Sequence, residues 1–344
     1  MIKEISIDNA DEWDAVVRSF FEYEVFYLPT YARAFMDEDQ INGTPFLLLY
    51  QNNGDRAINV IFKRDIALDT KMQGKIEKGK YYDIITPYGY GGFCGKVSDW
   101  SELNREYNSY CVNNNYISEF VRFNLFSEYV NHYDGIVESR THNVIRSLEM
   151  PIDDVWMDFK HKVRKNVNRA NVYGLNVIVD DKAEYLDDFL RIYYLTMDRK
   201  DAREEYYFSR RFFEEITKLN NNAIYFHAIY EGTIISTELI LCGPNNIYSY
   251  LGGTDSRYNN LRPNDYLKFE IIKWAMDKGY RNYVLGGGYG SDDGIFQFKY
   301  ALAPHGIVDF NVGKKIYDRE KYDRLVSMRN PEELNDVFFP LYRS

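Results

Sequence analysis

The chain holds 344 residues, 45% of them hydrophobic and 27% charged. That composition suits a globular protein with room for two domains, and it excludes a disordered chain, a collagen and a coiled-coil rod. The 52 acids against 42 bases leave a net charge of −10, which argues against nucleic-acid binding by bulk charge but leaves room for a local basic patch.

The three cysteines, Cys94, Cys111 and Cys242, are far apart in sequence, which excludes a disulfide framework and a paired-cysteine metal site. Glu4, Asp8, Asp11 and Glu12 near the start are unlike a signal or transit peptide. No run approaches the roughly 18 apolar residues of a membrane span. A reducing cytoplasm is the expected compartment, and a soluble enzyme there can still work at the inner membrane leaflet. The unusual term is aromatic: 32 Tyr and 22 Phe, residues that serve both amphipathic clefts and β-sheets.

In chain order, Thr44–Tyr50 and Ala57–Lys63 read as two strands of a hairpin around Asn53-Gly54. The aromatic-glycine segment Tyr88-Gly89-Tyr90-Gly91-Gly92 follows, then a helix over Glu102–Asn114 and a strand over Glu119–Phe126. The pattern then repeats. Ile224–Tyr230 and Thr233–Cys242 flank Glu231-Gly232, and Tyr250-Leu251-Gly252-Gly253 follows. A helix over Asn264–Lys278 and a strand over Tyr280–Leu285 complete the repeat. Tyr88 to Val121 is 33 positions, and Tyr250 to Tyr283 is again 33. This spacing predicts two copies of one α/β unit with a boundary near Met150-Pro151. Leu267, Ile271, Trp274 and Ala275 share one helical face, as do Leu186, Phe189, Leu190, Tyr193 and Met197; both stripes read as core.

Chemistry is advertised weakly. Gly286-Gly287-Gly288-Tyr289-Gly290-Ser291 is neither a dinucleotide fingerprint nor a phosphate loop, because Ser291 stands where a third glycine belongs and no Gly-Lys-Ser/Thr follows. Asp292-Asp293-Gly294 lacks the alternating acids of a calcium loop. A close-packed, flexible turn that lets a substrate reach the backbone is the better reading. Just beyond it, Lys299 sits between aromatics: either a surface lysine lying over rings or a fixed cation facing an anion or a developing oxyanion.

The acid-free window Phe159–Val179 holds Lys160, Lys162, Arg164, Lys165 and Arg169, either a solvated helix face or an anion site. A second cluster, Arg199, Lys200, Arg203, Arg210 and Arg211, is interleaved with Tyr206, Tyr207 and Phe208 and alternates with Asp198, Asp201, Glu204 and Glu205. It suits a phosphate with a stacked base or a salt-bridged surface equally. The five histidines have no metal-ligand spacing, and no Gly-x-Ser-x-Gly elbow is present.

Five segments, taken together, resemble FemA/FemB/FemX-type proteins. They are Tyr88-Gly89-Tyr90-Gly91-Gly92; Trp156 with Lys162–Ala170 and Gly174-Leu175; Tyr193, Thr196 and Arg199 with Tyr206-Tyr207-Phe208; Leu261, Pro263, Trp274-Ala275 and Gly279; and Leu285-Gly286-Gly287 with Phe298-Lys299. The resemblance implies an α/β (α+β) chain of two tandem GNAT-like acyltransferase domains with mixed sheets and flanking helices, near 1–150 and 151–314, the tail 315–344 returning to the first. It implies transfer of an aminoacyl group from aminoacyl-tRNA to an amine of a peptidoglycan precursor, UDP-linked or lipid-linked, with no cofactor and no metal.

Residue by residue, the resemblance gives Lys299, with Phe298 before it, and Tyr250 to catalysis. Arg33 after Tyr31-Ala32, one of Arg210 and Arg211, and Tyr207 fall to the precursor. The stretch 180–222 is too short for the coiled-coil arm that some relatives use for tRNA. Acyl-CoA enzymes of the GNAT fold cradle a pyrophosphate on glycines before a helix; Asn260 and Arg262 fill those slots here. An aminoacyl donor is therefore expected. An acyl-CoA-dependent N-acyltransferase acting on an amino sugar or other amine, and a non-catalytic binder of the same fold, are the alternatives.

Overall fold

The computed structural model describes residues 1–36, 41–288 and 293–344. They form two compact units: Met1–Arg140 with Phe310–Ser344 (unit 1), and Thr141–Asp309 (unit 2).

Unit 1 contains β1 (Ile2–Ser6), α1 (Ala10–Arg18), α2 (Pro29–Ala34), β2 (Thr44–Asn52), β3 (Asp55–Asp65), β4 (Tyr82–Ile85), β5 (Cys94–Lys96), α3 (Trp100–Asn113), β6 (Tyr116–Arg122) and α4 (Tyr129–His132). The chain leaves it within β7 (Ile136–Ser147). Unit 2 continues with α5 (Ile152–Asp158), α6 (His161–Val172), β8 (Asn176–Asp180), α7 (Leu186–Lys200), α8 (Arg210–Thr217), β9 (Ala223–Tyr230), β10 (Thr233–Cys242), β11 (Asn246–Thr254), α9 (Pro263–Asp277), β12 (Asn282–Gly287) and α10 (Gly294–Leu302). The chain returns to unit 1 within β13 (Ile307–Ile316) and ends after α11 (Arg319–Ser327).

The two units share one strand order. Unit 1 runs β1–β2–β3–β4–β6–β13, with β5 also on β3. Unit 2 runs β8–β9–β10–β11–β12–β7. All neighbours are antiparallel except β4–β6 and β11–β12. A parallel pair needs a long crossover, which α3 supplies in unit 1 and α9 in unit 2. Met150-Pro151 therefore lies inside unit 2, because Asn143–Ser147 already pair with β12. Residues 310–314, placed in the second half by the sequence reading, lie in unit 1, where Val312–Ile316 pair with β6.

Local chemistry explains the elements. The hairpin turns Asn53-Gly54 and Glu231-Gly232 have positive φ at both positions, the geometry that matches strand twist in two-residue loops. Pro263 opens α9 and Gly279, at φ +80°, follows its end. Its apolar face packs into the unit 2 core with Ile224, Phe226, Ile240 and Tyr283. In unit 1, α3 covers Leu48, Ile61, Val121 and Phe123, and the tail docks on a second cluster through Tyr322, Leu325 and Tyr342. The aromatic-glycine segment of unit 2 is a close-packing device: a Cβ on Gly253 would come within 2.3 Å of Thr196 Oγ1 on α7. Among the described residues, no helix is long and apolar enough to cross a membrane.

Candidate active site

In unit 2 the parallel β11–β12 ladder is short. Its last pair is Tyr248 with Val284, yet β11 runs on to Thr254 and β12 to Gly287. A β-bulge lies just past that point in each strand. Leu239 and Ile240 of β10 face Leu251 and Ser249, so Tyr250 is the extra residue of β11. Val284 and Gly286 of β12 face Ile145 and Val144 of β7, so Leu285 is the extra residue of β12. Bulges bend a strand and re-aim its side chains, so both strands are redirected where their pairing ends.

Lys299 points to this end of β12. It lies on α10, capped at its start by the Asp293 side chain accepting from the Ile295 amide at 2.7 Å. Half-buried, its Nζ donates to the Gly287 carbonyl at 2.6 Å. Gly286 has φ +80°, and a Cβ there would stand 3.2 Å from the Lys299 ammonium, so glycine leaves both the conformation and the space. Burial, and next the like charge of Lys268, bring the Lys299 ammonium down from 10.5 to about 8, with Glu238 and Asp293 opposing. The surface-lysine reading of Lys299 is therefore set aside.

Close by is a cluster the sequence reading missed. Lys268 on α9 and Glu238 on β10 are 7% and 6% exposed and form a buried ion pair. The Lys268 ammonium also donates to Ser249 Oγ at 2.7 Å and Tyr283 OH at 3.0 Å, and Tyr283 OH donates to Glu238 Oε1 at 2.7 Å. One cation thus ties β10, β11 and β12 together at the end of the ladder. Burial pulls Lys268 down and pushes the Tyr283 hydroxyl well up. A signal was present: Lys268 shares a helical face with Ile271, Ile272 and Ala275, an apolar stripe in which a lysine is out of place.

Around the start of α9 the protein's own side chains bond one another. Its N-cap residue, Arg262, is left-handed at φ 63°. Asn264 Oδ1 accepts from Thr254 Oγ1 at 2.7 Å and Ser236 Oγ at 3.1 Å. The Asp265 carboxylate, 9% exposed, accepts from Asn166 at 3.1 Å. Burial raises Asp265 to about 6, against Asn166, Arg262 and Lys162.

The other sequence-derived residues are placed as follows. Phe298 packs on the unit 2 core, and Tyr250 is the bulge residue. Tyr207 and Arg210 are exposed; Tyr207 OH donates to Asp198 at 3.0 Å, and Arg210 is held by Asp187 at 2.7 Å and Glu214 at 3.0 Å. Arg211 is exposed at the start of α8. Arg33 lies on α2 in unit 1, exposed, with a 3.4 Å contact to the Ile7 carbonyl. In the acid-free window, Arg164 caps α5 by donating to the Met157 carbonyl at 2.8 Å, and Arg169 lies over the Tyr173 ring, both structural roles. Tyr289–Asp292 of the glycine-rich stretch lie outside the described residues; Gly286 and Gly287 belong to β12. Among the described residues, no group of His, Cys, Asp or Glu is arranged to hold a metal ion.

Residues 157–300 match the family model Acetyltransf_6, an acetyltransferase (GNAT) domain, and so fall within unit 2. The chain has the tandem GNAT fold, and its matching unit supports an acyltransferase. Over nearly its whole length the fold is like that of FemX, with a TM-score of 0.69 at 14% identity, covering 94% of this chain and 99% of that one. It is also like that of L-PGS from Bacillus licheniformis (TM-score 0.55, 12% identity, 92% and 94% covered). A third likeness is to the C-terminal DUF2156 domain of an Agrobacterium fabrum protein assigned as a lysylphosphatidylglycerol synthetase (TM-score 0.57, 11% identity, 90% and 91% covered). At these identities the likeness is one of fold. No curated protein sequence matches the chain.

Proposed function

We propose that this chain is a FemAB-like transferase that moves an aminoacyl or acyl group onto an amine of a cell-envelope precursor, with Lys299 at the reacting centre. The observation that carries the reading is the Lys299 ammonium, half-buried at the Gly286-Gly287 end of β12 where the β11–β12 ladder has ended. The attacking amine forms a C–N bond to the carbonyl of an activated ester, the C–O bond breaks, and the leaving oxygen takes up a proton. Such aminolysis needs positioning and a group that stabilises the oxyanion. A protonated Lys299 supplies that group as a cation, and Tyr250 is the bulge residue of β11, just past its last pair with β12.

An aminoacyl ester such as aminoacyl-tRNA is the donor of choice. Asn260 and Arg262 stand where a pyrophosphate cradle has glycines, and above pH 6 the Asp265 carboxylate adds negative charge to the first turn of α9. The acceptor is a peptidoglycan precursor, UDP-linked or lipid-linked, with Arg210 or Arg211 for its phosphates; the names of FemX and of the lysylphosphatidylglycerol synthetase support an envelope substrate. The acetyltransferase name of the family model favours a second reading, acyl-CoA-dependent N-acylation of an amino sugar or other amine. Paired incubations of one acceptor, a UDP-muropeptide, with labelled aminoacyl-tRNA or labelled acetyl-CoA separate the two donors. Label transfer only from acetyl-CoA replaces the first reading with the second.

A further inference from the structure

Two lysine ammoniums share the poorly solvated end of the β11–β12 ladder in unit 2. Lys268 is tied to β10, β11 and β12 at once through Glu238, Ser249 and Tyr283. Lys299 lies over Gly286 and bonds the carbonyl of Gly287 on the same β12 strand. Lys268 has no freedom to move away from its neighbour, because three strands hold its ammonium and its stem is locked in the core face of α9. Glu238 is bonded by both Lys268 and Tyr283 through the same oxygen, Oε1, so its charge is fixed at the same place. An ion pair in this position costs desolvation that well-packed apolar residues would avoid.

We infer that Lys268, held by Glu238, is a positioning residue for Lys299: it fixes the end of β12 that Lys299 grips and electrically poises the Lys299 ammonium to exchange its proton during transfer. This rests on the reading of Lys299 as the reacting group. The charged groups that act on Lys299 are Lys268 on α9, which repels it, and Glu238 on β10 and Asp293 at the start of its own helix, which attract it. Lys268 outweighs Glu238, so the pair as a whole favours proton loss from Lys299. A poised lysine can hold a proton while an oxyanion develops and release it to the leaving oxygen as the C–O bond breaks, the proton lost by the amine restoring it afterwards. An unperturbed surface lysine, titrating near 10.4, would release that proton far less readily.

The test reads Lys299 directly in the full-length free protein. Lysine side chains are labelled with 13C, the Lys299 signal is assigned with Lys299→Arg, and its titration midpoint is followed by NMR. Lys268→Met should raise the midpoint by about one pH unit or more, the usual size for loss of a close like charge. The double variant Glu238→Gln/Lys268→Met should raise it by less, because attraction is removed along with repulsion. It also removes both buried charges together, so it stays folded if the single variant does not. A midpoint that stays in place or falls in the double variant overturns the inference, as does one that stays in place in a folded Lys268→Met. The readout uses no substrate, so a failure of the proposed transfer reaction is seen separately, in Lys299→Met assays.

Discussion

Glu238 of unit 2 and Asn59 of unit 1 occupy the same place in their sheets. Each is on the second strand of a hairpin, opposite a residue five positions before the first turn residue: Glu238 faces Phe226, and Asn59 faces Leu48. The bulge between Ile234 and Ser236 accounts for the one extra residue in β10. Both side chains are buried. Glu238 meets Lys268 and Tyr283, whereas neither amide atom of Asn59 meets a hydrogen-bonding partner among the described residues. The polar position is thus shared by the two units, but the charged pair belongs to unit 2.

That asymmetry makes a prediction for each residue. Asn59→Leu removes an unsatisfied buried amide from an apolar surrounding at similar volume, which should stabilise by about 1–2 kcal/mol and leave transfer unchanged. Thermal melting and transfer assays on the same preparation check both parts. Glu238→Gln should lower transfer. An Asn59→Leu protein that melts below wild type would show that the amide is satisfied.

Lys299 sets the pH response. Its folded value is lowered to about 8, so the ammonium is present below that pH and is lost as pH rises through it. A cation that stabilises an oxyanion therefore gives transfer that declines above pH 8. Lys299→Arg, charged throughout, should lack that alkaline limb even if its rate is low. Rate–pH profiles of the two proteins decide it; a rate that climbs through pH 8 in wild type assigns Lys299 to general-base work instead.

Much of the frame was legible in the sequence. The hairpins could be read because Asn53-Gly54 and Glu231-Gly232 are turn residues between β-rich runs, and α9 because Pro263 and Gly279 bracket an apolar stripe. The polar centre was not. Glu238 lies in a strand that reads as a core strand through Ile234, Ile235, Leu239, Ile240 and Leu241, and Lys268 in a helix where a lysine normally faces water; only the packing of the strands and α9 brings them together. Arg210 shows the reverse case: its sequence neighbourhood suits a phosphate, yet in three dimensions Asp187 and Glu214 hold it. The bulge at Tyr250 depends on the register of β10 and β11, which composition does not reveal.

Asp265 links pH to stability. Its folded value is raised from 3.8 to about 6, chiefly by burial, so the folded chain holds this proton where the unfolded chain has lost it. Stability therefore falls as pH rises from about 4 to 6 and stays reduced above. Asp265→Asn should raise the melting temperature at pH 7.5, by a few degrees for on the order of 2 kcal/mol, and change it little at pH 4. Calorimetry at the two pH values is the check; equal effects at both would contradict the burial argument.

In unit 1 the tail is held by charge. Asp83, 1% exposed, takes Arg64 at 2.7 Å on one oxygen, and Arg343 at 2.5 Å with Tyr342 at 3.0 Å on the other. Burial disfavours its charge, but the two guanidiniums overcome that and hold it below the usual range. Asp83→Asn leaves two largely buried guanidiniums without their shared carboxylate and should cost about 3–5 kcal/mol. Denaturant melts and limited proteolysis of the last residues check it; an unchanged tail in the variant would contradict the clamp.

Phosphate binding should be seen at the start of α8. Loss of one of its two arginines, in Arg210→Ala or Arg211→Ala, should weaken the UDP-linked acceptor and flatten the salt dependence of binding. Titration calorimetry at two salt concentrations reads this; affinity unchanged in both variants would place the phosphates elsewhere.

The most direct test of the whole account is the mass of a UDP-muropeptide after incubation with an aminoacyl-tRNA pool and either wild-type protein or Lys299→Met. The account predicts that wild type adds the mass of one aminoacyl group to the acceptor amine. It predicts that Lys299→Met, melting like wild type, does so about 10²–10³ times more slowly. Equal rates from the two proteins, or no mass gain with wild type, would contradict it.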